Sequence, residues 1–258
     1  MIGFLIKKSF FDGWDNLLTL VVLNLGYLIA FGLLLLASML SETSVLLWLL
    51  FVVLALFFIS IYNLGVNAQT FAYSRYKREG FKAFFRAIKE HFTHGLLYFA
   101  ILIVISLCAL YVIPFYFNMS NMIGYLLGMI LVWAIVAFLL ALQYYFAMCF
   151  YCEADSPFVT LRKCFGLVAD NIGVTFFLVF KTLLDLVITV FTATIMPGFA
   201  GISLARMDAV KLLLKKYEFL DQNPGSTRKD LNWEDLLYEE RELVGPRSLK
   251  GMLFPWKD

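Results

Sequence analysis

MPGFAGISLARMDAVKLLLKK, residues 196–216, decides how this chain is folded. Four stretches elsewhere are plainly long and apolar enough to cross a bilayer, which takes roughly 20 residues as a helix. They are Leu17–Leu40, Val45–Ala68, Leu96–Phe117 and Met122–Phe150, and a fifth runs from about Ile172 to Met196. Residues 199–214 are shorter and carry Arg206, Asp208 and Lys211, so hydropathy alone passes over them. Charge placement does not. The loops Ser41–Ser44 and Ser120–Asn121 hold no Lys or Arg. By contrast, Arg75, Lys77, Arg78, Lys82, Arg86 and Lys89 crowd the loop between the second and third stretches. Lys7 and Lys8 mark the N-terminus, and Arg162 and Lys163 the loop between the fourth and fifth. Cytoplasmic loops carry the excess of Lys and Arg, so all of these belong inside. Five crossings would leave Lys215, Lys216, Arg228, Lys229, Arg241, Arg247, Lys250 and Lys257 outside. Residues 199–214 must therefore return, by spanning or re-entering, after the break at Met196-Pro197-Gly198. Of the 21 Lys and Arg, Lys181 and Arg206 then lie deep within the membrane, Lys211 lies near the inner end of its segment, and none lies outside.

Composition agrees. The chain is 62% hydrophobic and 16% charged, where a soluble domain is roughly half apolar and a quarter charged. The excess faces lipid. A net charge of +2, with no basic run interleaved with aromatics, excludes nucleic acid as a partner. The first apolar stretch outruns the roughly 7–15-residue core of a cleavable signal peptide and reads as an uncleaved anchor. These features predict a multi-pass plasma-membrane protein with both termini cytoplasmic, whose first partner is the lipid bilayer.

A pattern recurs along the chain. Ile6-Lys7-Lys8-Ser9-Phe10 leads to Asp15-Asn16 and the first apolar stretch; Leu161-Arg162-Lys163-Cys164-Phe165 leads, at the same spacing, to Asp170-Asn171 and the fifth. A weaker copy, Ile88-Lys89-Glu90-His91-Phe92, precedes the third. Each reads as a basic amphipathic helix at the inner interface, with apolar residues toward lipid and lysines reaching the headgroups, followed by a hairpin of two spans. The fold class is an all-α polytopic membrane bundle of six spans in three such units. The membrane domain covers residues 1–216, and residues 217–258 form a short cytoplasmic acidic tail. In that tail Asn232 to Leu243 reads as one amphipathic helix that stops at Gly245-Pro246. Trp233, Phe254 and Trp256 are too large and apolar to stay solvated and must dock.

Charges within a bilayer are costly and mark function by default. Lys181 and Asp185 share one helix face, and a turn near Met196 brings Asp185 level with Arg206 and Lys181 level with Asp208. The Asp185–Arg206 pair is the one expected to form. The cluster Lys181, Asp185, Arg206 and Asp208 is either an ion pair that lets a weakly apolar hairpin insert or a polar site for a solute. Asn24, Asn63, Asn67 and Gln143 supply further polar lining. Gly124 and Gly128 form a GxxxG pattern that permits close packing within the monomer.

Enzyme signatures are missing: no HExxH, GxSxG or P-loop pattern occurs. Cys149 and Cys152 have CxxC spacing, and Cys164, His91 or His94 are conceivable further ligands. The cysteines read instead as small apolar residues, kept reduced near the inner end of a span. His91 and His94 read as interfacial residues with no third ligand nearby in sequence. No metal and no cofactor is expected.

The runs Gln143-Tyr-Tyr-Phe-Ala-Met and Asp155-Ser-Pro-Phe-Val-Thr-Leu-Arg-Lys-Cys-Phe-Gly-Leu-Val-Ala-Asp-Asn171, with the entry Phe10-Phe11-Asp12-Gly13-Trp14-Asp15-Asn16, resemble the YesL-like family of uncharacterised bacterial integral membrane proteins. The resemblance covers roughly residues 3–215. It implies an association with carbohydrate-uptake ABC transport systems and carries no defined activity. The function read from the sequence is a non-enzymatic accessory or scaffolding partner of a transport complex. The alternative is a small-solute or ion transporter that uses the charges of the fifth and sixth spans.

Overall fold

Among the described residues five helices are long and apolar enough to cross a membrane: Leu17–Leu40, Val45–Ser74, Phe92–Asn118, Met122–Tyr151 and Ile172–Phe191. They appear in the computed structural model of the protein, which describes residues 1–192, 196–227 and 230–247. The described residues form helices joined by turns, with no strand among them.

Helix α1 (Ile2–Asp15) leads into the first long stretch, which bends at Tyr27 into α2 (Leu17–Gly26) and α3 (Leu28–Leu40). At the bend, Tyr62 donates its hydroxyl to Leu23 O at 2.8 Å. Its ring packs so tightly on Gly26 that a Cβ there would overlap it. The return helix is α4 (Val45–Ser74), capped by Ser44. The amphipathic α5 (Phe81–Glu90) leads into α6 (Phe92–Leu107), a π-helical turn at Cys108–Val112 and α7 (Ile113–Asn118). The extra residue in that turn sits just before Pro114, whose missing N–H breaks the regular ladder. Helix α8 (Met122–Tyr151) returns, with Gly124 and Gly128 against Tyr116 and Phe117 of the preceding arm. The GxxxG pattern therefore closes a hairpin within the chain. Helices α9 (Pro157–Asp170), α10 (Ile172–Phe191) and α11 (Gly198–Gln222) follow, then α12 (Trp233–Leu236) and α13 (Tyr238–Val244).

Helix α11 contains the stretch that hydropathy passes over. It is 25 residues long, about 37 Å at 1.5 Å per residue. It packs against α1, α2, α4, α8 and α10. Ala200, Leu204, Met207, Asp208, Ala209, Val210 and Leu212 are all fully buried. The apolar helices around it instead leave large side chains such as Leu18, Met122, Ile123 and Phe191 exposed. A helix sheathed by protein need not be apolar all round, because its polar residues meet partners rather than lipid. It also runs through the expected domain boundary at residues 216/217, so the membrane domain and the tail are joined by continuous helix.

The turn before α11 is held by Asn24. Its side-chain carbonyl accepts from Ala200 N at 2.9 Å, and its amide donates to Pro197 O at 3.2 Å. Gly198 sits at φ +63 against the same side chain, and a Cβ there would overlap Asn24. Thr189 accepts from Gly198 N at 3.0 Å.

Candidate functional site

Two polar regions surround α11. Arg206 and Asp208 are two residues apart and so point to different sides of the helix.

On one side Arg206 borders a cavity of about 310 Å³. Tyr27, Asn63, Asn67, Tyr98, Gln143 and Ser203 supply its polar lining, and Phe31, Phe146 and Phe199 its aromatic walls. Tyr27 donates to Asn63 Oδ1 at 2.7 Å, and Asn67 donates to Asn63 O at 2.8 Å. Two buried donors have no hydrogen-bond partner among the described residues: Arg206 Nε and Gln143 Nε2. No carboxylate among the described residues lines the cavity. The lining is thus rich in donors and carries one cation.

Among the described residues Asp185 and Arg206 do not make the expected ion pair within 4 Å, although Asp185 is near enough to act electrostatically on the Arg206 guanidinium. Asp185 Oδ2 is 2.6 Å from Lys181 Nζ, one turn earlier on its own helix. An i,i+4 partner needs no alignment between helices, so it is reached first. Asp208 is likewise not matched with Lys181.

Asp208 belongs to the second region, a buried ion cluster at the end of the bundle where α1, α4, α11 and α13 meet. Lys8 Nζ lies 2.5 Å from Asp12 Oδ2, 3.0 Å from Ser74 O, 3.5 Å from Asp208 Oδ1 and 3.8 Å from Glu240 Oε2. Lys211 Nζ lies 2.7 Å from Glu240 Oε1 and donates to Ser74 O at 2.8 Å. Tyr76 donates to Glu240 Oε2 at 3.0 Å and lays its ring 4.1 Å from Lys8 Nζ. Burial and the neighbouring Asp208 push the Asp12 carboxyl up to about 8. Burial works against the Lys8 ammonium, yet Asp208 and Asp12 hold its pKa above the ordinary lysine value. Burial also opposes ionisation of Glu240, yet Lys211 keeps its carboxyl below the usual range. Lys215 Nζ adds a third ammonium at the rim, 3.8 Å from Glu240 Oε1; within the cluster the Asp12 carboxyl, raised by burial and Asp208, is the group that keeps a proton near neutral pH.

This cluster corrects the reading of the first basic segment. Lys8 does not reach outward to headgroups; it is fully buried. Asp12, Asp208 and Glu240 supply the countercharge that makes burial tolerable. Lys7 donates to Gly245 O at 2.9 Å. Asp15 pairs with Arg247 at 2.8 Å. Lys163 pairs with Asp155 at 2.6 Å, and Arg162 is exposed. The two Asp-Asn steps share one local role. Asn16 donates to Asp12 O at 2.9 Å and Asn171 to Leu167 O at 3.1 Å, each tying off the short helix where the long one begins. Asn171 also donates to Tyr217 Oη at 3.0 Å and accepts from Lys216; Tyr217 donates to Asp170 at 3.1 Å.

The tail docks on its own chain. Leu237 and Val244 are buried in the main core, and Trp233 packs against it. Phe254 and Trp256, also expected to dock, lie outside the described residues. The chain matches no protein-family model, no curated protein and no solved structure.

Asp12, Tyr76 and Glu240 are the cluster members that sequence reasoning missed. The signal available was the Lys8–Asp12 spacing of four, which places a carboxylate beside a lysine on a helix otherwise read as lipid-facing. The fold also brings together His91, His94 and Cys149, contrary to their reading as separate interfacial and apolar residues.

Proposed function

We propose that this chain is a six-span plasma-membrane protein, with both termini cytoplasmic, that binds a small anionic solute at Arg206 and carries it across the bilayer. The observation that carries this reading is the cavity of about 310 Å³ bordered by Arg206, whose Nε is buried without a partner among the described residues. That volume is at the lower end of small-molecule sites, roughly 300–1,000 Å³. An ionised guanidinium beside amide and hydroxyl groups suits a carboxylate or phosphate oxygen. The aromatic walls suit a short apolar portion of the same solute. Helix order supports the six-span topology: a short helix followed by two long helical arms occurs three times, as α1 to α4, α5 to α8 and α9 to α11. The Lys and Arg distribution supports the orientation. The test is flux of small labelled carboxylates and inorganic phosphate into proteoliposomes. The wild-type chain takes up at least one of them, and Arg206→Gln does not, while remaining folded.

An accessory role in a transport complex is the second reading. It is favoured by the YesL-like resemblance and the lack of enzyme signatures. A tail in need of a partner no longer speaks for it, since Leu237, Glu240 and Val244 are satisfied within the chain. Mild-detergent co-purification from native membranes tests it: a stoichiometric transporter subunit supports it, and a lone chain after crosslinking counts against it.

A further inference from the structure

We propose that His91, His94 and Cys149 form a transition-metal site of the zinc class at the ion-cluster end of the bundle. His91 is the junction residue between α5 and α6, and His94 lies in the first turn of α6. Cys149 comes from the last turn of α8, far away in sequence. One ligating atom from each lies within 4.8 Å of the other two. Cys149 Sγ is 3.5 Å from His91 Nδ1. A tetrahedral zinc ion, with Zn–S about 2.3 Å and Zn–N about 2.0–2.1 Å, sets its sulfur and nitrogen ligands roughly 3.5 Å apart. This pair already has the spacing of two ligands.

The surroundings suit metal-binding histidines. His94 Nδ1 lies 3.3 Å from Tyr145 Oη, with both side chains buried. Metal-ligating imidazoles are usually fixed by a hydrogen-bonding neighbour, and the Tyr145 hydroxyl and the Asp155 backbone both lie against the His94 ring. A cleft bordered by His91, His94, Glu153 and Asp155 opens beside the two histidines. Asp155 is engaged by Lys163, whereas Glu153 is exposed, so Glu153 or a water completes the coordination. Two imidazoles and one thiolate select zinc, cobalt or a similar borderline ion over magnesium and calcium, which prefer oxygen. On binding, the Cys149 S–H bond breaks, its proton passes to solvent and the sulfur lone pair forms the metal bond; no electron is transferred. The ion would pin the start of α6 to the end of α8. This inference is independent of the Arg206 reading.

The test uses the full chain in detergent, stripped with a chelator and titrated with Co²⁺. Saturation at one ion per chain, with a thiolate-to-cobalt charge-transfer absorption that Zn²⁺ abolishes, is expected. Cys149→Ser should lose that absorption and weaken binding at least about tenfold; His91→Gln and His94→Gln should weaken it comparably. Cys108→Ser should change nothing. X-ray absorption of the Zn²⁺-loaded wild-type chain needs no variant, and it should show one sulfur at about 2.3 Å beside nitrogen neighbours. No saturable binding, oxygen and nitrogen neighbours alone, or a cobalt spectrum unchanged by Cys149→Ser would overturn the proposal.

Discussion

Lys8 Nζ lies 3.5 Å from Asp208 Oδ1, with both side chains fully buried, although the two residues are 200 positions apart in the chain. This contact ties the first helix to the central one. Lys8→Met would leave Asp12 and Asp208 facing each other without their nearest cation. Removing one partner of a buried pair costs about 3–5 kcal/mol, and a loss of that order is expected in chemical or thermal unfolding. Adding Asp208→Asn to Lys8→Met should recover part of it. Strictly additive losses would show that the pair is not coupled.

Glu240 is the tail's only described side chain placed between Lys8, Lys211 and Tyr76. Glu240→Ala should release α13 and speed proteolytic cleavage across residues 233–247, while the wild-type segment resists. Glu239→Ala, at an exposed rim position, should leave the cleavage rate unchanged.

The proton on Asp12 gives stability a definite pH dependence. Asp12 is raised from 3.8 to about 8 by burial and Asp208. Between those values the folded chain holds a proton that the unfolded chain has released, so stability falls as pH rises through that window and levels off above it. The groups facing Asp12 are Lys8 on its own helix and Asp208 on α11, with Tyr76 and Glu240 beside them. Melting temperatures from pH 5 to pH 9 should show the decline, and Asp12→Asn should flatten it. A wild-type chain that grows more stable over this range would contradict the retained proton.

How much of this was legible depends on the distance over which each feature is decided. The five apolar helices follow from run length. The Asp-Asn steps follow from local spacing, and their role in tying off the short helices is local too. The central helix was found by charge counting because its own composition, with Arg206, Asp208 and Lys211, is permitted only by the helices around it. What failed were pairings across elements. Depth alone matched Asp185 with Arg206, but rotation about each helix axis decides contact, and Lys181 was already one turn away. Lys8 reads from sequence as a headgroup-reaching lysine because two of its counter-ions come from α11 and α13. Cys149 could not be joined to His91 and His94 until α8 returned beside α6.

Topology is open to a direct check. A reporter fused after Asp258 and one fused before Ile2 should both read as cytoplasmic, and one inserted at Ser41–Ser44 should read as external. A C-terminus on the external side would mean that α11 does not cross.

Binding of a small anion at Arg206 is measured most directly by thermal stabilisation of the purified chain. The probes are inorganic phosphate, sulfate and a series of short mono- and dicarboxylates, each at constant ionic strength. The account predicts that at least one raises the melting temperature saturably and that Arg206→Gln, folded and titrated in the same way, no longer responds. If no anion stabilises the wild-type chain, or if Arg206→Gln is stabilised to the same extent, the cavity is not an anion site.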